Sequence, residues 1–122
     1  MKNEPEYART GVAVAVIPQG KQPGFVVPDD LRARWKLHLG LSSDVLPKVL
    51  SEIGQVDIFI HDSEHTYDNM MFEYQTAWRT VRAGGVLLSH DVGWNSAFSD
   101  FACQMNRRPV RFYRIGFGGL RR

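Results

Sequence analysis

A chain of 122 residues has room for about one modest domain. Its 43% hydrophobic and 23% charged residues argue against disorder, and a formal charge of +2 with scattered arginines gives no footprint for nucleic acid. Cys103 is the only cysteine, so an internal disulfide is impossible and a reducing, cytoplasmic setting is expected. No stretch approaches the ~20 apolar residues of a membrane span, and "MKNEPEYART" lacks a signal-peptide core, so no membrane partner is expected. Arg114, Arg121 and Arg122 read as a solvated terminus.

In chain order, residues 1–10 read as disordered or as the remnant of a longer chain. "GVAVAVIP" (11–18) is a β-branched run closed by proline and reads as a buried strand. "QGKQPGFVVPDD" (19–30) is rich in Gly and Pro and reads as loop. In "RARWKLHLG" the late alternation of Trp35, Leu37 and Leu39 predicts a strand over 36–39. Ser42 or Ser43 can cap a helix over about 44–52, with Pro47 near its first turn and Gly54 ending it. "VDIFI" (56–60) is the next strand. Tyr67, Met71, Tyr74, Trp78 and Val81 recur at spacings of four and three, one buried helix face, which Gly84 and Gly85 stop. "VLLS" (86–89) is a strand, Phe98, Phe101, Ala102 and Met105 mark another amphipathic helix, and "VRFYRI" (110–115) is a last strand before a turn-rich "GFGG".

Alternating strands and helices predict a single α/β domain over 1–122 with a parallel sheet. Ligands of such sheets gather at the carboxyl ends of the strands. Two strands here end in His-Asp: His61–Asp62 and His90–Asp91. Right-handed crossovers make consecutive strands neighbours, so Asp62 and Asp91 are expected side by side with His65 one short turn away. Two close carboxylates repel unless a cation sits between them, and His65 has the reach and pKa range of a general base. Taken singly, each aspartate also has a structural reading: Asp62 as a helix cap, Asp91 as a support for its loop. His61 reads as a backbone-bonded histidine behind the edge, His38 as a surface or satisfied histidine, Glu64 and Glu73 as solvated, and Met70 and Met71 as core. Trp94 and Phe98 fit an aromatic wall or the core equally.

The segment "VDIFIHDSEHTYDNMMFEYQTAWRTVRAGGVLLSHDVGWNSAF" resembles the second half of a class I S-adenosylmethionine-dependent methyltransferase. Within that superfamily it is similar to the group that includes macrolide and rhamnosyl sugar O-methyltransferases. The motifs are Asp62-x-x-His65, Gly84–Gly85, and a strand ending in His90–Asp91. The resemblance implies a Rossmann-like sheet in a three-layer α/β/α arrangement and methyl transfer from S-adenosylmethionine to an oxygen of a small-molecule acceptor. It implies His65 as the base, and a divalent metal, magnesium, on Asp62, Asp91 and the less usual His90. It implies cofactor contacts at Gly40, Leu41, Ser42, His61 and Asp62. The first strand and Gly-rich loop of the fold find no counterpart, and Val16 stands where a ribose-binding acid is usual. A truncated, non-catalytic relative is therefore one alternative, and a metal-dependent hydrolase another. A homo-oligomer is left open.

Overall fold

A computed structural model describes residues 17–122 of the chain. The expected strand over 11–18 falls almost wholly outside the described residues, as do residues 1–10 and Val16. The chain divides into two compact units, Met1–Gly40 and Leu41–Arg122.

In the described part of the first unit, turns follow the Gly- and Pro-rich sequence, then a short 3-10 helix spans Asp29–Arg34. Arg32 Nε donates to Asp29 Oδ1 across one turn at 3.0 Å. Gly24 lies under the Trp35 indole, so close that a Cβ there would sit 2.1 Å from the ring. The strand expected over 36–39 does not form. A strand exists only through hydrogen bonds to a neighbour, and among the described residues this stretch has none; Leu39 is 71% exposed.

The second unit starts with α1 (Ser42–Ile53), ended by Gly54 at φ 82°. Strand β1 (Val56–His61) leads to α2 (Tyr67–Trp78), whose N-cap Thr66 accepts from the Asn69 amide. Strand β2 (Val81–Ser89) starts earlier than expected: α2 ends at Trp78, and Gly84 and Gly85 lie inside the strand rather than stopping the helix. Gly85 is required there, since a Cβ would meet the Asp57 carbonyl oxygen at 2.7 Å. Then come α3 (Ala97–Gln104), β3 (Val110–Phe112), a 3-10 turn (Tyr113–Ile115) and β4 (Phe117–Arg121).

The four strands form one sheet in the order β1-β2-β4-β3. β1 and β2 are parallel across the α2 crossover, with Phe59 opposite Leu87 and His61 opposite Ser89. β4 runs antiparallel to both β2 and β3, so the sheet is mixed rather than all parallel. Strands β3 and β4 are joined by only a few residues, and a parallel pair needs a crossover of about a dozen. "GFGG", read as turn, is most of β4. Gly118 faces Phe98, and a Cβ at 118 would lie 2.6 Å from that ring. Gly118→Ala is therefore expected to cost about 1–3 kcal/mol by overpacking, read as a lowered thermal midpoint. An unchanged midpoint would show that α3 is free to shift.

The architecture is thus a mixed α/β sheet flanked by helices, as the Rossmann-like expectation requires. Helix α2 lies on β1 and β2, with α1 and α3 against its sides. Met70, Met71, Tyr74, Leu87, Phe98, Phe101 and Leu120 interlock between them. On the opposite face Ile58 and Ile60 are more than half exposed. Arg121 and Arg122 are exposed, as expected of a solvated terminus, and Arg122 also donates to the Arg79 and Val81 carbonyls at the start of β2.

Candidate functional site

The parallel register brings the ends of β1 and β2 level, because His61 pairs with Ser89 and the His90 amide donates to the His61 carbonyl at 3.0 Å. The next residues, Asp62 and His90, leave the sheet together at its carboxyl edge. His90 Nδ1 lies 3.1 Å from Asp62 Oδ1 and 3.5 Å from Asp91 Oδ2. His65 Nε2 lies 3.8 Å from both carboxylates. Asp62, His65, His90 and Asp91 are therefore brought together as the two strand-end motifs suggested.

Asp91 is held at a positive φ of 50°, uncommon for a residue with a side chain. Gly116, itself at φ 68°, makes room for it: a Cβ at 116 would lie 3.3 Å from Asp91 Oδ1. The Val92 amide donates to the Gly116 carbonyl, fixing that approach. The turn before β4 thus shapes the site from the far side.

His65 is the most enclosed member, with its side chain 7% exposed and Nε2 without a hydrogen-bond partner among the described residues. Asn95 Nδ2 donates to the His65 carbonyl at 3.0 Å, while Asn95 Oδ1 accepts from the Ala97 amide at the start of α3. The Trp94 ring lies 5.5 Å from the His65 ring and is 56% exposed, so Trp94 borders the site. Phe98 is fully buried and belongs to the core. Burial, then the neighbouring His61, hold the His65 imidazole below the usual histidine range, although Asp91 and Asp62 pull it upward. A lowered value favours the neutral ring, one of whose two nitrogens can accept a proton.

The other expected cofactor residues are placed as follows. His61 is fully buried behind the edge, its Nδ1 donating to Glu73 Oε2 at 2.8 Å and its Nε2 unpartnered. Leu41 is 71% exposed at the start of α1, and the Ser42 hydroxyl bonds to Glu73. Gly40 belongs to the first unit.

Glu73 is the residue that sequence reasoning misjudged. It was expected in solvent and is 4% exposed. Its Oε1 accepts from Ser63 Oγ at 2.6 Å and from Asn69 Nδ2 at 3.2 Å, while Asn69 Nδ2 also reaches the Glu64 carbonyl at 2.9 Å. One carboxylate thereby braces the whole loop that carries Asp62 and His65. The signal was available: Glu73 sits between Met70 and Ala77 at spacings of three and four, on the buried face itself.

Burial alone would push the Glu73 carboxyl up, but the hydrogen bonds from His61, Ser42 and Ser63 together outweigh it and bring it down to about 2. A carboxyl depressed from its usual value of 4.5 gives stability that is complete above pH 4.5 and is lost as pH falls from there towards 2. The loss is on the order of 3 kcal/mol. Urea unfolding repeated between pH 7 and pH 3 should show it, and Glu73→Gln should flatten that part of the curve. Equal slopes for the two proteins would contradict the assignment.

Two grooves elsewhere leave the cluster untouched: one of about 570 Å³ lined by Val26, Leu31 and Trp35, and one of about 420 Å³ lined by Trp78, Phe101 and Met105. The cluster lies instead at the sheet's open edge.

No curated protein matches the chain. The model of a family described as a methyltransferase domain matches residues 3–92, a span that includes β1, α2, β2 and all four members of the cluster. That span is well over half of the 122 residues, and the chain belongs to the methyltransferase-domain family.

Proposed function

We propose that the protein transfers a methyl group from S-adenosylmethionine to a hydroxyl oxygen of a small molecule, with the hydroxyl seated against His65. The observation that carries this reading is the buried, unpartnered His65 Nε2 facing two carboxylates at 3.8 Å. That nitrogen takes the hydroxyl proton, and the flanking Asp62 and Asp91 stabilise the imidazolium that forms. The oxygen attacks the methyl carbon in line, the new O–C bond forms, and the S–C electron pair stays on sulfur as S-adenosylhomocysteine leaves. Trp94 gives the acceptor an apolar wall beside the base. The Asp62-x-x-His65 and His90–Asp91 motifs support an acceptor of the sugar or natural-product kind.

Magnesium, implied by the resemblance on Asp62, His90 and Asp91, fits poorly. It favours octahedral oxygen donors and keeps several waters, whereas two of the three candidate ligands that lie within 4.8 Å of one another, His65 and His90, offer imidazole nitrogen. The reaction above uses the chain's own residues alone.

Methyl-labelled S-adenosylmethionine, offered with acceptors bearing hydroxyl, amine or thiol groups, tests the reading. Label on oxygen supports it, and label only on nitrogen or sulfur overturns it.

A further inference from the structure

One face of the second unit's sheet is bare. Phe59, Leu87 and Leu120 pack towards the helices, so their alternates along each strand point the other way. Ile60, Leu88, Gly119 and Val110 are cross-strand partners and form one row over all four strands, with Ile58 and Phe112 in the rows beside it. Ile58, Ile60, Val110 and Phe112 are each more than half exposed. Of the described side chains that the register puts on this face, only Arg121, at its rim, is charged. We infer that this face is a dimer interface, covered by the same face of a second copy of the chain.

Composition and area both favour that occupant. Transient partners use surfaces that are only about 56–58% apolar, whereas permanent homodimers meet through faces resembling a core cut in half. A face with a single charge at its rim is of the second kind. The one partner present whenever this chain is present is the chain itself. The face offers roughly 600 Å² per copy, at about 100 Å² for each half-exposed Ile, Val or Phe and less for the partly covered Val86, Leu88 and Phe117. Two copies together bury about 1,200 Å², where specific, stable interfaces begin. Two twisted sheets pack in this way about 10 Å apart, and an isologous contact needs only one patch that fits itself. Phe117 lies on the same face with its ring 5.1 Å from that of His90, so the second copy also closes one flank of the cluster.

The dimer stands apart from methyl transfer and is tested without it. Sedimentation velocity is run on the full chain from about 1 to 200 µM, with reductant because Cys103 is exposed. The expected result is a dimer whose dissociation constant is micromolar or tighter. Ile60→Glu and Phe112→Glu lie on the two outer strands, β1 and β3, and only face-to-face packing covers both. Each should weaken the dimer at least about 30-fold, since it buries an unpaired charge. Ile53→Glu, at the end of α1 and equally exposed, should leave the dimer unchanged. Where a glutamate variant loses its circular dichroism, threonine at the same position, which suits a strand, is read instead, with at least about 5-fold weakening expected. A monomer throughout the range overturns the proposal and leaves the face to an unlike partner. A dimer that folded Phe112→Glu protein retains also overturns it: loss through Ile60→Glu alone means pairing at the β1 edge.

Discussion

Replacing His65 by alanine is expected to lower the methyl-transfer rate by about 10²–10⁴-fold, the usual contribution of a positioned general base. Its Nε2 is the buried lone pair that faces both Asp62 and Asp91, and no other side chain in the cluster offers a neutral nitrogen so enclosed. Affinity for S-adenosylmethionine should change little, because the group that receives the hydroxyl proton need not touch the cofactor. The result separates into two measurements: turnover under saturating cofactor, and cofactor binding by calorimetry. Turnover equal to the wild type would remove His65 from the chemistry, and a matching collapse of cofactor affinity would recast it as a binding residue.

The cluster was legible in the sequence because it depends on local signals. Apolar runs end at His61–Asp62 and His90–Asp91, and consecutive strands joined by a helix become neighbours, so the two motifs had to meet. His65 followed from its three-residue offset from Asp62. What stayed hidden depends on distant partners. Glu73 looks like a solvent residue until the end of β1 is placed over α2, where its carboxylate meets His61 and Ser63. "GFGG" looks like a turn until Phe98 is seen occupying the space above Gly118. The alternation of Trp35, Leu37 and Leu39 suggested a strand, yet periodicity alone supplies no hydrogen-bonding neighbour. Local propensity was overruled in each case by tertiary packing.

Replacing Glu73 by alanine is expected to cost about 3–5 kcal/mol of stability, since removing the shared acceptor of a buried hydrogen-bonded network leaves several donors unsatisfied at once. His61 Nδ1, fully enclosed, would lose its acceptor, and Ser42, Ser63 and Asn69 would lose theirs. For a domain with net stability of about 5–15 kcal/mol, that is enough to leave much of the protein unfolded at 37 °C. Glu73→Gln keeps the volume and one acceptor oxygen, and should cost less while loosening the loop from Asp62 to His65. Equilibrium denaturation of both variants checks this. A Glu73→Ala protein within about 1 kcal/mol of the wild type would mean that the loop is held chiefly by Asn95 and the Thr66 cap.

Methyl transfer is expected at the carboxyl edge of β1 and β2, beside Asp62, His65, His90 and Asp91. The most direct test is a crystal structure of the protein with S-adenosylhomocysteine bound. The thioether sulfur should face the cluster, separated from His65 Nε2 by space for one methyl group and one acceptor oxygen. A sulfur bound at the opposite end of the sheet, or on the face carrying Ile58 and Ile60, would contradict it.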